Sequence, residues 1–460
     1  MAERTGTVTP PARWRLLEVM GSSAGGIKAH VSQLSAALNS AGHRVVVAAP
    51  RQGLPGLGEA PKRQLGWGWL LAVPALARAM AGADAVHAHG LRAAAVSATL
   101  VRLRRLRRPR RPRRLGRPPF RAPIVVVTLH NAPPAAGWRA VGANWLGRLA
   151  AKADHVLVVS PDLEGWIERL GATAVERAIV PVRSLAPPDS GRAATRRELG
   201  VSEFPGSRAP AVPSEDAGPG DRAATSPNAE PADQVATNPA ADLGDPFATG
   251  QAARPQDPAG TSPNAGPGRP LLVTVARLAH QKGLDILIEA AARLGRRDPA
   301  PLWLVAGAGP DRAKLEALIA ETGAPVKLLG PRDDVAALYQ AADLVVGTSR
   351  WEGQPIALRE AMTLGAAVVA TDVGGTKAAL AGGALLTQAD AGALADGVGQ
   401  LLDNPEELRE LRRRGAAAAR RFPGQAEMLA QALRLYGQRP PAGARNSPRS
   451  PRPERNRRRF

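Results

Sequence analysis

The chain has 460 residues, 44% of which are hydrophobic, and contains no cysteine. This length predicts two domains, and the lack of cysteine excludes disulfides and thiolate metal sites. The formal net charge is +21, yet only 3% of the residues are aromatic. That composition argues against a nucleic-acid-binding surface, in which basic and stacking side chains are interleaved.

Most of the excess positive charge lies in two short segments. Residues 102–117 contain ten arginines and no acid, and residues 439–460 contain eight arginines and one glutamate. They are interpreted as solvated, largely disordered appendages or, alternatively, as peripheral contacts with an anionic membrane; nucleic acid is the least favoured partner. The N-terminus has no signal-peptide core, and no apolar run is long enough to span a bilayer. We expect a cytoplasmic protein, with contact on the inner face of the plasma membrane as an alternative.

The first half of the chain alternates between short apolar strands and helices. One helix is predicted over Ile27–Ala41, where apolar residues recur at helical spacing and Gly42 follows. This alternation is typical of a parallel sheet covered on both faces. The predicted strands are Arg15–Val19, Arg44–Ala49, Ala85–His87, Ile124–Leu129, His155–Val159 and Ala178–Val180.

The alternation stops over residues 203–268, which are rich in Pro, Ala, Gly, Ser and Asp and carry a net charge of −6. The sequence Thr-Ser-Pro-Asn-Ala occurs in it twice, at 225–229 and 261–265. This composition predicts disorder. A disordered segment of such length fits a linker between two domains better than a loop within one.

The alternation resumes after this insert. Strands are predicted at Leu271–Val275, Leu302–Ala306, Val326–Leu329, Leu344–Val346 and Ala367–Ala370. Helices are predicted at Gly283–Leu294, Asp311–Glu321, Val335–Ala341, Ile356–Leu364 and from about Glu406 to Tyr436.

Five regions follow from this pattern. They are an α/β domain at 1–201, a disordered linker at 202–268, a second α/β domain at 269–420, a helix at 421–438 that crosses back to the first domain, and a disordered basic tail at 439–460. Two open parallel sheets joined in this way place the carboxyl ends of their strands around one cleft, where ligands bind.

Two loops at predicted strand ends have the composition of an anion site. Gly25 and Gly26 precede the first long helix, where glycine lets backbone N–H groups approach an anion and the helix N-terminus favours negative charge. Arg277 and Lys282 follow the first strand of the second domain and suit a diphosphate. Taken alone, the first loop also fits a tight turn and the second a solvated cationic loop.

Two carboxylates lie eight residues apart near a predicted helix start. Pro355 begins the helix, so that Glu352 lies in the loop and Glu360 one turn inside the helix. This spacing offers two carboxylates to different hydroxyls of one ligand. Glu360 alone also fits ordinary charge placement near a helix N-terminus.

Together these motifs resemble those of glycosyltransferase family 4, in the same order along both domains. The resemblance skips the insert and both arginine segments. It implies a GT-B fold, in which two Rossmann-like, doubly wound α/β domains face a central cleft, here with a disordered interdomain insert. The motifs are Gly25-Gly26-Ile27 with His30, the strand end from Asp84 to His89, Thr128-Leu129-His130, Arg277 to Gly283, Ala306 to Pro310, and Glu352 with Glu360-Ala361-Met362.

The resemblance also implies an activity. Family members transfer a sugar from a nucleotide-diphosphate donor with retention of anomeric configuration, usually without a metal ion, and we expect a hexose-type donor, no metal and no other cofactor. Arg277 and Lys282 would bind the diphosphate and stabilise the leaving group, and Glu360 would hold the ribose. His130 would lie near the transferred sugar. His89 is a weaker candidate for the cleft, and a buried structural role fits it at least as well.

Backbone groups complete the implied donor site. Gly25 and Gly26 would face the phosphates from the first domain. The donor sugar would be held by Glu352 together with the backbone of Gly353, Gln354, Pro355 and Ile356.

Some positions depart from the family pattern. The Gly374-Gly375 pair lacks the glutamate that usually follows it, and Val182-Arg183-Ser184 stands where an Asn-Gly turn is common. Two alternatives stay open: a GT-B-shaped binding or regulatory protein without catalysis, and a GT-B phosphorylase or epimerase. The acceptor is not defined by these motifs, and a lipid-linked or cell-envelope glycan is one candidate.

Overall fold

The structure is a computed structural model that describes residues 13–21, 26–55, 57, 60–65, 69–106, 122–131, 137–183, 185–186, 191–202, 204 and 268–438, with 69–72 as backbone only. Nearly all of the predicted insert, most of the arginine segment 102–117, the tail 439–460 and Gly25 lie outside these residues. No helix within the described residues is long and apolar enough to cross a membrane.

The first sheet has seven described strands, all parallel, in the order β3-β2-β1-β4-β5-β6-β7. Its strand order reverses between β1 and β4, and such a switch leaves a crevice at the carboxyl ends of the strands. The strands are β1 (Arg15–Met20), β2 (Arg44–Pro50), β3 (Lys62–Leu65), β4 (Ala85–His89), β5 (Ile124–Leu129), β6 (His155–Val158) and β7 (Val175–Arg177). The helices of this half are α1 (Gly26–Ser40), α2 (Trp69–Met80), α3 (Leu91–Leu106), α4 (Gly137–Ala150) and α5 (Pro161–Arg169). Helix α6 (Gly191–Glu198) follows in the chain but packs against the helix Val335–Ala341 of the second half.

The second sheet has six described strands, also parallel, in the order β10-β9-β8-β11-β12-β13, with its switch between β8 and β11. The strands are β8 (Leu271–Val275), β9 (Leu302–Ala306), β10 (Val326–Gly330), β11 (Leu344–Gly347), β12 (Val368–Thr371) and β13 (Leu385–Thr387). The helices are α7 (Leu284–Leu294), α8 (Arg312–Thr322), α9 (Val335–Ala341), α10 (Ile356–Thr363), α11 (Thr376–Leu380), α12 (Ala391–Asp403) and α13 (Pro405–Ala419). Two doubly wound parallel sheets confirm the predicted fold class.

The last helix, α14 (Gln425–Gly437), packs against the first sheet although it follows the second in the chain. Its buried residues Met428, Ala432, Leu435 and Tyr436 belong to the core that β1, β4 and β5 build. The Tyr436 hydroxyl reaches the Glu18 carboxylate of β1 and the His87 ring of β4. The chain therefore crosses between its two sheets twice.

One predicted strand is wrong. The last strand of the first sheet is Val175–Arg177 and not Ala178–Val180, which leaves the sheet as a buried connection. The carbonyls of Ala178 and Val180 accept hydrogen bonds from Gln354 Nε2 (2.9 Å) and Arg359 Nη1 (2.7 Å). The apolar run that suggested a strand is buried because it passes against the second half of the chain.

Candidate functional site

A cavity of about 890 Å³ lies where the carboxyl ends of the two sheets meet. It is lined by the start of α1, by the loops after β5, β8 and β9, and by the loop that follows β11. Both α1 and α10 begin at this cavity, and neither has an acidic residue in its first turn. Volume, position and helix ends all suit a bound anionic ligand.

Most of the site residues predicted from sequence line this cavity, and three described ones do not. Pro355 lies at the N-terminus of α10 outside the lining, Glu360 is buried inside the same helix, and His89 is buried in the first sheet. Gly25 lies outside the described residues. The predicted residues in the lining are Gly26, His130, Arg277, Lys282, Glu352, Gly353, Gln354 and Ile356.

Two cations enter the cavity from the loop after β8. The Lys282 ammonium lies 2.5 Å from Glu352 Oε2, and Ser349 donates a hydrogen bond to the same oxygen at 3.0 Å. Arg277 is exposed and makes no ion pair within the described residues. The cavity thus presents one paired and one unpaired cation, and an incoming diphosphate could contact both.

The loop that carries Glu352 is fixed by close backbone contacts. A Cβ at Gly374, where φ is +54°, would lie 2.3 Å from the Glu352 carbonyl oxygen, and the amide of Gly375 donates to that oxygen at 2.9 Å. A Cβ at Gly353 would lie 2.4 Å from Val159 Cγ2 of the first half of the chain. Only glycine allows these approaches, so the Gly374-Gly375 pair supports the loop even without the glutamate that usually follows it.

Glu360 is held by an arginine that sequence reasoning treated only as a departure from the family pattern. Its carboxylate accepts a hydrogen bond from Arg183 Nε at 2.7 Å, and its side chain is 3% exposed whereas that of Arg183 is 57% exposed. The hydrogen bond to Glu360 raises the pKa of Arg183. Any ligand hydroxyl that binds Glu360 must share the carboxylate with Arg183 or displace it.

Arg359 and Gln354 connect α10 to the buried segment that follows β7. Besides its bond to Val180, the Arg359 guanidinium lies 4.6 Å from the centroid of the Phe422 ring. Burial lowers the pKa of Arg359 to about 10. A buried guanidinium costs free energy unless it is paired, so its bonds to backbone and ring favour this arrangement of the two sheets.

Four histidines of the first domain lie together beneath the cavity. The ring centroids of His30, His89 and His130 are 5.4–5.8 Å apart in each pair, and His30 and His130 line the cavity. Burial lowers the pKa of His30 to about 4 and that of His87 to about 3, and it holds those of His89 and His130 well below the usual range. The cavity floor therefore presents neutral imidazoles at neutral pH.

A buried hydrogen-bond network continues below these rings. His89 Nε2 lies 2.5 Å from Glu18 Oε2, His87 Nδ1 lies 2.8 Å from the Tyr436 hydroxyl, and the Tyr436 hydroxyl donates to Glu18 Oε1 at 3.3 Å. Thr128 Oγ1 lies 2.7 Å from His87 Nε2. Burial raises the pKa of Glu18 to about 7.

Glu18, His87 and His89 also form a group of potential metal ligands within the described residues, with donor atoms inside 4.8 Å of one another. Both nitrogens of His87 are already engaged by Tyr436 and Thr128, and the Glu18–His89 pair stands at hydrogen-bond distance. The donors are thus used in bonds to one another, which fits a structural network better than ligation of an ion.

Several lining residues had no signal strong enough to be assigned from sequence. Asn131 and Gln281 enter the cavity beside His130 and Lys282, and each is a single polar residue in a loop. His30 was noted in the glycine-loop motif, but its helical position could not be distinguished from that of an ordinary core histidine. Arg183 could be recognised only as a departure from a pattern, since its contact with Glu360 spans 177 positions.

The fold and this site define a class: an α/β protein with two doubly wound sheets and, between them, a cationic cleft suited to an anionic ligand. Comparison with known families is consistent with that class. The family described as Glycosyltransferase Family 4 matches residues 24–181, and the one described as Glycosyl transferases group 1 matches residues 261–421. One glycosyltransferase family model thus matches each half of the chain, and together they support the assignment to glycosyltransferase family 4.

Characterised relatives match about a third of the chain. An α-D-kanosaminyltransferase of Streptomyces kanamyceticus is 36% identical over 156 residues, which are 32% of this chain and 40% of the relative. A D-inositol 3-phosphate glycosyltransferase of Nocardia farcinica is 34% identical over 170 residues, which are 34% of this chain and 38% of the relative. The chain thus matches about two fifths of each relative's length.

Solved structures share the fold over nearly the whole chain. Anabaena HepE in complex with UDP-glucose has a TM-score of 0.64 at 17% identity, covering 92% of this chain and 98% of its own. Sucrose-phosphate synthase from Thermosynechococcus elongatus has a TM-score of 0.62 at 18% identity, with the same coverage of both chains. These likenesses support the GT-B architecture inferred from the two sheets.

Proposed function

We propose that the protein is a retaining glycosyltransferase that transfers a hexose-type sugar from a nucleotide-diphosphate donor to an acceptor hydroxyl. The observation that carries the proposal is the cavity in which Arg277 and Lys282 meet Glu352 at the start of α10. In such a transfer the bond between the sugar and the diphosphate breaks, and negative charge grows on the departing phosphate. Two fixed cations stabilise this charge without reorganisation.

In this proposal, different residues bind different parts of the donor. The diphosphate binds Arg277, Lys282 and the start of α1 at Gly26, with Gly25 in the adjoining loop. The sugar lies against Glu352 and the backbone from Gly353 to Ile356, near His130. The ribose hydroxyls bind Glu360 once Arg183 has moved aside.

No metal ion or other cofactor is needed in this scheme, because Arg277 and Lys282 supply the positive charge. The domain boundaries predicted from sequence, with a donor domain at 269–420 and an acceptor-side domain at 1–201, belong to the same proposal. A cytoplasmic location belongs to it as well, and so does a membrane-borne or cell-envelope acceptor. Peripheral contact through residues 102–117 and 439–460 is part of that acceptor hypothesis.

Donor binding and product analysis test the proposal. A panel of nucleotide sugars, beginning with UDP-glucose, which is bound by the structural relative HepE, should contain one that stabilises the protein against heat. A ligand at 100 times its dissociation constant adds about 2.7 kcal/mol to the free energy of unfolding. With that donor, transfer should proceed in excess EDTA and yield a product of unchanged anomeric configuration. A donor that is bound but never transferred would favour the non-catalytic alternative, and phosphorolysis or epimerisation would favour the other.

A further inference from the structure

Among the described residues, the outer face of α4 has an unusual composition. Its fully buried residues are small, namely Ala143, Gly147 and Ala150, and Leu146 and Leu149 are half-buried, whereas its two tryptophans and Val141 are exposed. Trp138 is 79% exposed, Val141 70% and Trp145 59%. A helix that served only to cover the sheet would have the opposite pattern, with its large apolar groups inside.

The three outward residues form one stripe. Positions 138, 141 and 145 are spaced i, i+3, i+7, which confines them to a sector of about 60° around the helix axis and spreads them over about 10 Å along it. Helix α3 packs beside α4 and exposes Leu103 and Leu106 at its C-terminal end. Five of the six large apolar side chains exposed among the described residues thus lie on these two helices, and the sixth is Trp351.

The charge of the same two helices is entirely positive. Helix α3 carries four arginines and α4 two, and neither helix contains an acidic residue. The Arg139 guanidinium lies 5.4 Å from the centroid of the Trp138 ring, and Arg148 is exposed further along α4. The arginine-rich segment 102–117 begins in the last turns of α3. Exposed tryptophans framed by arginines are the chemistry of a protein surface that binds the headgroup region of an anionic bilayer.

A second copy of the chain fits this face poorly. A two-fold symmetric contact would bring the same patch of both copies together, and exposed arginines such as Arg139 and Arg148 of one copy would face those of the other with no acid on α3 or α4 between them. An anionic lipid surface would pair its headgroups with the arginines and would also bury the apolar stripe of Trp138, Val141 and Trp145.

We infer that the outer face of α3 and α4, centred on Trp138, Val141 and Trp145, docks the protein on an anionic lipid surface. Helix α4 begins seven residues after His130, which lines the cavity, so docking holds the acceptor side of the cleft beside the membrane. The inference rests on the proposed function in one respect: if the protein transfers a sugar, docking on lipid indicates a lipid-linked acceptor. Docking itself involves no donor and can be measured separately.

The test is co-sedimentation of the full chain with vesicles of 40% phosphatidylglycerol in phosphatidylcholine, and with phosphatidylcholine alone. The wild-type protein should pellet with the anionic vesicles, and much less so as salt is raised. Trp138→Ser with Trp145→Ser should lower the partition coefficient roughly 100-fold, since each buried aromatic side chain contributes at least about tenfold. Arg148→Ser should lower it about fivefold. Trp351→Ser, on the second domain, is the matched control and should bind vesicles like wild type.

Each contrary result overturns the inference. Binding that survives loss of both tryptophans would assign any attachment to the basic segments alone. Equal binding to phosphatidylcholine vesicles would show that the face does not select an anionic surface. If the wild-type protein is a dimer and the two tryptophan substitutions dissociate it, the face is a contact between two copies of the chain. Thermal stabilisation by the donor separates the two proposals: if docking fails while the donor still stabilises the protein, only the docking inference is lost. If docking persists while no nucleotide sugar binds, the proposed function is lost instead.

Discussion

The two tyrosines of the chain offer a matched test of the buried network beneath the cavity. Tyr436 and Tyr339 are both almost fully buried. The Tyr436 hydroxyl is bonded to His87 and Glu18, whereas the Tyr339 hydroxyl has no hydrogen-bond partner within the described residues. The same substitution, Tyr to Phe, therefore removes a hydrogen-bonded hydroxyl at Tyr436 and a hydroxyl without a hydrogen bond at Tyr339.

Tyr436→Phe should lower the free energy of unfolding by about 1–3 kcal/mol, because it leaves the His87 N–H and one Glu18 oxygen buried without a partner. Tyr339→Phe should change it by less than about 0.5 kcal/mol or raise it slightly, since an unbonded buried hydroxyl costs free energy. Urea unfolding at pH 7.5, followed by tryptophan fluorescence, measures both. Equal losses for the two variants, or no loss for Tyr436→Phe, would refute the network as the tie between α14 and the first sheet.

Three further outcomes are expected. The free energy of unfolding should fall as the pH drops from 6.5 to 5, by about 1.4 kcal/mol per pH unit for each net proton, because burial lowers the pKa of His30, His87, His89 and His130. Glu18 acts in the opposite sense, because its raised pKa of about 7 favours the folded state at low pH. The four histidines together outweigh this one carboxyl group. Urea titrations that gave the same free energy of unfolding at pH 5 and pH 6.5 would contradict this expectation. In a double-mutant cycle, Arg183→Ala and Glu360→Gln should show a coupling free energy of about 0.5–1 kcal/mol, which is small because the arginine is partly exposed. A coupling free energy of zero would show that the two residues do not form a stabilising ion pair. Deleting residues 207–266 should leave the melting temperature and the donor affinity nearly unchanged, and a large loss of either would show that the insert is structural.

The sequence was most informative where structure is local or repeats a pattern. Strands such as Ile124–Leu129 and Leu302–Ala306 were predicted with correct bounds, because a buried parallel strand is a short apolar run between loop signals. The short edge strands β3 and β13 were not predicted: Lys62–Leu65 is mostly exposed and polar, and Leu385–Thr387 has only three residues. Neither presents a continuous apolar run to detect.

The residues of the candidate site were also predictable only where the signal is local. Arg277, Lys282 and Glu352 were predicted from their loops, and the structure brings them to one cavity. What sequence could not supply is long-range pairing, such as the contact of Arg183 with Glu360 or of Tyr436 with Glu18, which lies 418 positions away. Such contacts depend on how the two sheets and α14 pack, and no local pattern encodes them.

The most direct test of the central claim is sugar transfer by Arg277→Ala and Lys282→Ala, measured with the donor found by thermal stabilisation. Each variant should keep its fold and lose about 10²–10³-fold in kcat, as expected when one charge-assisted contact to a leaving group is removed. Arg293→Ala, which removes an exposed arginine from α7, is the control and should transfer like wild type. Near-wild-type turnover by either cleft variant would contradict the assignment of this cavity as the site of transfer.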